Sequence, residues 1–355
     1  MRKTLLCCCL VLVVVATIAA PSLLLGETDV EADQTIGPPP PTEGQPIPIK
    51  VGVYLLDLVA LDEASQTFTC TGYLTETWLD PRLAFSAASG QSHTRYYRKQ
   101  DVWFPMLQFD NSASPRTLSS YLMIGKADGT IQYIEKFAVR LSSNMELRAF
   151  PFDSQDLEIY IHPFTGQVGR ILLSVDPETT GVSTALYTPL PLWRTGRITY
   201  RTVVGAIPGD EESSKVRSHV VFAIHVIRNS QYYTFRIFIP LALMVAVSWG
   251  VLWIPPDDLN SQLLISVTTV LTLVAFSVAL SNILPSVAYL TFYDAFFLIC
   301  FLFILLTIGE SLVIHTVHRN AGHAAVIRIR RRTRIFLPLS FFVIAVLVAH
   351  SFIAH

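Results

Sequence analysis

The chain has 355 residues and a formal net charge of −1, enough length for two domains. Hydrophobic residues make up 51% of it and charged residues only 15%, against about 25% charged in soluble domains. The near-neutral balance gives no sign of a polyanionic partner such as nucleic acid, and none is expected. The apolar excess points to lipid as the solvent for part of the chain.

Residues 1–26 read as an export signal. Arg2 and Lys3 precede an apolar run from Leu5 to Ala20, and small residues follow up to Gly26. An uncut anchoring helix is the alternative. Cys7, Cys8 and Cys9 lie inside this run. The remaining Cys70 and Cys300 fall in a predicted strand and a predicted membrane helix, so no disulfide is expected between them. Residues 27–48 hold Pro38, Pro39, Pro40, Pro41, Pro46 and Pro48 with few large apolar side chains, a composition that makes a linker.

Residues 49–231 carry short alternating segments. Strands are predicted at 47–61, 67–78, 117–124, 131–141, 157–162, 171–175, 197–204 and 220–227. In the second, Phe68, Cys70, Gly72, Leu74, Glu76 and Trp78 share one face. Turn signals such as Ala127-Asp128-Gly129 and Pro208-Gly209-Asp210 separate the strands, which predicts an antiparallel sandwich or barrel.

Residues 232–355 are lipid-like. Helices are predicted at about 235–254, 262–284, 292–317 and 335–353, each near the roughly 17–25 residues that cross a bilayer. Pro240 and Pro338 are expected close to helix starts, where proline is tolerated. The segment 318–334 holds Arg319, Arg328, Arg330, Arg331, Arg332 and Arg334, whereas 285–291 has no Lys or Arg. That asymmetry puts the basic segment in the cytoplasm and both the β domain and the C-terminus outside. The second helix differs from the rest. It carries Ser266, Thr268, Thr269, Thr272, Ser277, Ser281 and Asn282 and no charge. Such a helix either lines water or packs on neighbours through small residues. One copy cannot enclose a pore, so a channel requires a cyclic oligomer.

Five motifs in order carry a family resemblance. They are Trp78-Leu79-Asp80-Pro81-Arg82-Leu83, Trp103-Phe104-Pro105-Met106-Leu107, Phe150-Pro151-Phe152-Asp153-Ser154-Gln155, Arg228 before Tyr232-Tyr233 and Pro240, and Ser281-Asn282-Ile283-Leu284-Pro285. Together they resemble the pentameric ligand-gated ion channels of the Cys-loop receptor superfamily. The loop cysteines of the animal members would fall at Ser143 and Leu157, and the segment between the third and fourth helices is short. Both features are similar to the prokaryotic branch.

The resemblance implies an extracellular, immunoglobulin-like all-β sandwich followed by a four-helix transmembrane bundle, assembled as a homopentamer. It implies a coupling site in which Asp153 pairs with Arg228, with Pro285 shaping the link to the third helix and Asp62 or Glu63 joining the cluster. It implies a pore lined by Leu264, Thr268, Leu271, Ala275, Val278 and Asn282, with a gate at Leu271; a face rotated toward Ser261 and Thr272 is the alternative. Ligand candidates at the subunit interface are Tyr73, Trp103, Phe104, His162, Phe164 and Arg217, although each aromatic could equally be sandwich core, the favoured reading for Trp78. An anionic ligand, a zwitterion or no ligand at this site all stay open, because the third-loop aromatic is missing. Protons are a competing stimulus, with His93, His162, His219, His225, His315, His318 and Glu310 as titratable candidates. Asp257 and Asp258, just before the pore helix, are the selectivity candidates for monovalent cations. The chain lacks the Pro-Ala-Arg insertion of anion-selective relatives.

No Gly-x-Ser-x-Gly, His-Glu-x-x-His, phosphate-binding loop or Cys/His metal cluster occurs. No enzymatic activity, cofactor or metal is therefore expected. A β-sandwich ectoenzyme and a non-conducting sensor or adhesion subunit are the competing classes.

Overall fold

The computed structural model describes residues 38–42, 44–86, 93–164, 170–183, 190–205, 217–281, 287–321 and 323–353, without the side chains of residues 205, 217, 321, 323 and 324. The expected signal and most of the linker lie outside these residues.

The N-terminal part is a two-sheet sandwich. Its strands are β1 (Ile47–Asp62), β2 (Thr67–Leu79), β3 (Thr94–Tyr96), β4 (Leu107–Phe109), β5 (Thr117–Lys126), β6 (Thr130–Ser142), β7 (Ser154–Pro163), β8 (Ile171–Val175), β9 (Gly181–Val182), β10 (Trp193–Gly205) and β11 (Arg217–Arg228). One sheet runs β3-β5-β6-β2-β1-β8 with β9 beside β1, and the other runs β10-β11-β7-β4. Period-2 alternation turns Ile49, Val51, Val53 and Leu55 of β1 inward, all fully buried. Val220, Phe222, Ile224 and Val226 of β11 do the same from the facing sheet. The β2 face behaves as its alternation predicts: Phe68, Cys70, Leu74, Glu76 and Trp78 are all buried.

The expected linker ends earlier than residue 48. Ile47 N–H donates to Arg170 O at 2.8 Å and pairs in parallel with Ile171. Pro48 is tolerated inside β1 because pairing with β2 starts only at Lys50, so its missing donor deprives no partner there. The short strands β3, β4 and β9 had no expectation attached, since two or three residues cannot display a period.

The Trp78–Leu83 motif serves as a strand terminator. Asp80 is buried, its carboxylate accepts from Arg82 Nε at 2.9 Å and Nη2 at 2.7 Å, and it caps the 3-10 turn Pro81–Leu83. Asp80 N–H also donates to Gly129 O at 2.9 Å. Gly129 has φ +89°, and a Cβ there would lie 2.7 Å from Asp80 O, so only glycine serves this turn.

Four helices follow: α1 (Gln231–Trp253), α2 (Leu259–Leu280), α3 (Phe292–Ala321) and α4 (His323–Ile353). All four are long and apolar enough to cross a membrane. In α1 a π-helical stretch, Thr234–Phe238, comes just before Pro240. That is how a helix absorbs a residue without a donor. The expected 335–353 helix is corrected: α4 begins at His323, so most of the basic linker is helical and Pro338 lies well inside the helix rather than near its start. Arg, Ala and Ile between 324 and 335 are good helix formers with no glycine among them. The most apolar window of α3 is 39% buried and that of α4 only 6%. The third helix is therefore the spine of the bundle, and the fourth is an outer helix that needs lipid or a neighbour around it. Cys70 and Cys300 are both free and buried.

Candidate functional site

Three places matter most: the junction between sandwich and helices, the pore-helix face, and a cavity under the loop that carries Trp103.

The junction is centred on Arg228, at the end of β11. Its side chain has no exposed surface. Nε donates to Asp153 Oδ1 at 2.6 Å and Nη2 to Asp153 Oδ2 at 3.0 Å, a two-pronged pair. Nη1 donates to Glu63 Oε1 at 2.5 Å and to Tyr233 Oη at 3.4 Å. The guanidinium also lies 4.1 Å from the Trp193 ring centroid and 4.6 Å from that of Phe150. Burial works against its charge. The hydrogen bond and charge of Asp153, with those of Glu63, outweigh that and hold Arg228 above its ordinary pKa. Asp153 is fixed from its other side by Gln155 Nε2 at 2.6 Å, and Gln155 in turn braces the loop through Glu146. Of the two acids in the β1–β2 turn, Glu63 reaches Arg228. Asp62 instead caps its own turn at Ser65 and faces Arg140 at 3.7 Å.

The same loop meets the bundle through contacts that motif reading missed. Leu147 N–H donates to Tyr289 Oη at 2.9 Å, and Phe292 N–H donates to Arg148 O at 2.8 Å. Phe152 sits 5.7 Å from Phe292 and 6.0 Å from Phe238, which stack on each other at 5.4 Å. The aromatic repeat at 289, 292 and 293 was the available signal, but aromatic residues are so common in the helices that it does not stand out. Pro285 and Asn282 lie outside the described residues.

On α2, Leu264, Thr268, Leu271, Ala275 and Val278 are all exposed in the single chain, Leu264, Leu271 and Val278 each at 67%. The opposite face, with Gln262, Ser266, Thr269, Leu273 and Leu280, packs into the chain's own bundle. Hydroxyls on both faces are absorbed by the helix: Thr268 Oγ1 donates to Leu264 O, Thr269 Oγ1 to Ile265 O and Thr272 Oγ1 to Thr268 O. At the foot of α2, Asp258 is the N-cap, accepting from Ser261 N–H at 3.1 Å, and the Ser261 hydroxyl, followed by this backbone bond, lowers its pKa. Asp257 is exposed and meets His318 Nε2 of α3 at 2.6 Å.

The ligand candidates are not gathered in one place. Trp103 is buried and packs edge-on against Trp78 at 5.9 Å. As placed it packs in the sandwich core, the alternative open to each of these aromatics. Phe104 and Phe164 line a cavity of about 290 Å³. Tyr73 lies on the outer face of β2 opposite Tyr54, pointing away from that cavity. His162 Nδ1 faces Asp110 at 3.6 Å. The side chain of Arg217 lies outside the described residues. Burial holds His219 below its ordinary pKa, so it stays neutral where an ordinary histidine begins to charge. His225 meets Asp156 at 2.9 Å. Within the bundle Glu310 accepts from Thr333 Oγ1 at 3.2 Å. Among the described residues no group of His, Cys, Asp and Glu side chains is arranged to hold a metal ion.

Comparison with known proteins accords with this architecture. Residues 34–230 match the model of the neurotransmitter-gated ion-channel ligand binding domain, and residues 237–339 that of the neurotransmitter-gated ion-channel transmembrane region. The chain is 27% identical over 330 residues to a proton-gated ion channel of Gloeobacter violaceus, covering 93% of this chain and 90% of that protein. It is 26% identical over 283 residues to the human gamma-aminobutyric acid receptor subunit rho-2, and 24% identical over 279 residues to the mouse receptor subunit theta. It spans 58% and 42% of those two subunits. With both domains matched in order and four membrane-spanning helices behind an extracellular sandwich, the chain belongs to the neurotransmitter-gated ion-channel family, as a multi-pass membrane subunit of a ligand- or pH-gated channel.

Proposed function

We propose that five copies assemble around α2 into a cation-selective pore, opened by protons or by a small molecule at the outer domain. The observation that carries this reading is the exposed stripe Leu264, Thr268, Leu271, Ala275 and Val278. Its spacing of three and four residues keeps it on one helix face, and that face is left uncovered by the chain's own bundle while the opposite face packs inward. Leu271, midway along, supplies an apolar ring that shuts the pore by dewetting. Asp257 and Asp258 would put up to ten carboxylates at the cytoplasmic mouth of such a pentamer, a field that concentrates cations. The junction on Arg228 is the coupling element: it ties β11, the loop 146–155 and the β1–β2 turn to the start of α1, so movement of the sandwich reaches the helices. Protons are favoured as stimulus by the long match to a proton-gated relative.

The test is reconstitution of the full chain in bilayers, with current recorded across a pH range and a ligand panel in a salt gradient. An evoked current reversing near the cation equilibrium potential is expected. Reversal near the chloride potential would overturn the selectivity, and absence of current under every condition would overturn the channel.

A further inference from the structure

The cavity under the Trp103 loop contains a second set of buried charges that the coupling junction does not use. Glu76 on β2 and Glu135 on β6 both point into the sandwich and are 2% and 1% exposed. Glu76 stands opposite Tyr133, and Glu135 opposite Leu74. The two acids are thus diagonal neighbours on one sheet face, with Cα atoms roughly 7–8 Å apart, within reach of long side chains. Glu135 is better held: Tyr133 Oη donates to its Oε2 at 2.6 Å, and Arg116 Nη1 lies 2.6 Å from its Oε1 as an ion pair, although neither of those last two atoms makes a hydrogen bond. Glu76 is not, since its Oε2 is buried and has no hydrogen-bond partner. Both line the 290 Å³ cavity together with Lys99, Phe104 and Phe164.

An ionised carboxylate with an unpartnered oxygen, beside a second carboxylate and away from water, is costly. Binding one proton removes that cost, and the neutral acid then has an O–H to donate. Two like charges on one buried face do not both ionise freely.

We propose that Glu76 and Glu135 form a one-proton site in the outer domain, and that its occupancy sets how firmly Lys99 holds the 97–106 loop and thereby how the channel responds to pH. The groups facing the pair are Tyr133 on β6, Tyr121 on β5, Arg116 on the segment before β5, and Lys99 on the loop. Lys99 Nζ sits in an aromatic cage, 4.7 Å from the ring centroid of Tyr133 and 5.1 Å from those of Phe104 and Tyr121. With the pair doubly ionised, two negative charges balance Arg116 and Lys99. When a proton arrives, one negative charge is gone and Lys99 loses part of its attraction to the cavity. Lys99 lies four residues before Trp103, which is anchored in the core, so the cage ties the loop to the β5–β6 edge of its sheet. Burial and the neighbouring Glu135 push Glu76 well above the ordinary carboxylate range, in keeping with a proton held at the pair. The regulatory half of this inference rests on pH being a stimulus of the channel; the proton site does not.

The test uses the full chain in lipid, first by infrared difference spectroscopy between acidic and alkaline buffer. The expected result is a protonated-carboxyl band that titrates above the ordinary carboxylate range and disappears in Glu76→Gln. That variant is isosteric, so it decides the matter even where Glu135→Gln fails to assemble. No such band in the wild type, or an unchanged band in Glu76→Gln, would overturn the site. Proton-evoked current is read in parallel. Glu76→Gln and Lys99→Met are each expected to move the half-activating proton concentration by about tenfold, the equivalent of one pKa unit. A lost band with an unmoved proton response would overturn the regulatory half. A wild type that conducts at no pH while the band is present would instead count against protons as the stimulus and leave the proton site standing.

Discussion

The outer domain buries two clusters of charge, and they are built differently. At the membrane end, Arg228 meets Asp153 twice, Glu63 once and Tyr233 once, and aromatic faces from Trp193 and Phe150 close over it. In the cavity beneath the 97–106 loop, Glu135 is paired with Arg116 while Glu76 keeps an oxygen with no partner. A cluster whose charges are matched by directional bonds resists change of protonation and transmits force between the segments it joins. A cluster that leaves an acid oxygen without a donor yields to a proton. The same kind of residue is therefore a strut at one end of the sandwich and a titratable group in the other cluster, and the local donor count decides which.

The largest effect is expected at the strut. Arg228→Ala strands Asp153 in a dry site and should cost about 3–5 kcal/mol of stability, with current abolished while size-exclusion chromatography still shows the assembled oligomer. Arg228→Lys keeps the charge but not the planar fork, so it should rescue only partly. Combined with Asp153→Ala, the double variant should lose less than the sum of the single variants by about 0.5–3 kcal/mol; strict additivity would mean that the pair is not coupled.

Glu76 should show the opposite pH behaviour from a paired carboxylate. Its proton is held more tightly folded than unfolded, so the stability it contributes is present below the ordinary carboxylate pKa of about 4.3. That contribution is lost as pH rises through its raised value. The melting temperature of the wild type should fall over that window, and Glu76→Gln should flatten the slope. Equal slopes in the two proteins would remove the contrast between the clusters.

In the pore, Leu271→Ser should ease opening, seen as a larger basal current and activation by a weaker stimulus. An unchanged activation curve would mean that another face of α2 meets the axis. At the foot of the same helix, Asp257→Asn with Asp258→Asn should weaken cation preference or conductance. Asparagine still caps α2 at position 258, which separates loss of charge from loss of helix. An unaffected reversal potential would direct attention to Asn260 and Ser261. The smallest effect is expected from Tyr289→Phe, which removes one hydrogen bond to Leu147 worth about 0.5–1.5 kcal/mol and should shift activation only slightly. A complete loss of current would make Tyr289 as important to coupling as Arg228.

How much of this was legible from sequence depends on whether the signal is periodic or spatial. Alternation along β2 placed Glu76 on the core face, and long apolar runs located four helices, because both patterns are written within a few residues of one another. Motif order brought Asp153 and Arg228 forward as a pair although they are 75 residues apart. The helical course of the basic segment before Pro338 was misjudged, since proline marks a helix start in water more reliably than in a bundle that can satisfy the freed carbonyl. Both a ligand and a core role stay open for Trp103 in the sequence, which does not tell a tryptophan that faces a neighbour from one that packs on Trp78. What the sequence by itself determined is the order of elements, the membrane topology and the residue types at the junction. Only the tertiary structure decided that Glu63 rather than Asp62 completes the Arg228 site. It alone set Glu135 diagonal to Glu76 under a caged lysine. Each of these rests on contacts between segments far apart in the chain, and distance along the sequence carries no information about which oxygen finds a donor.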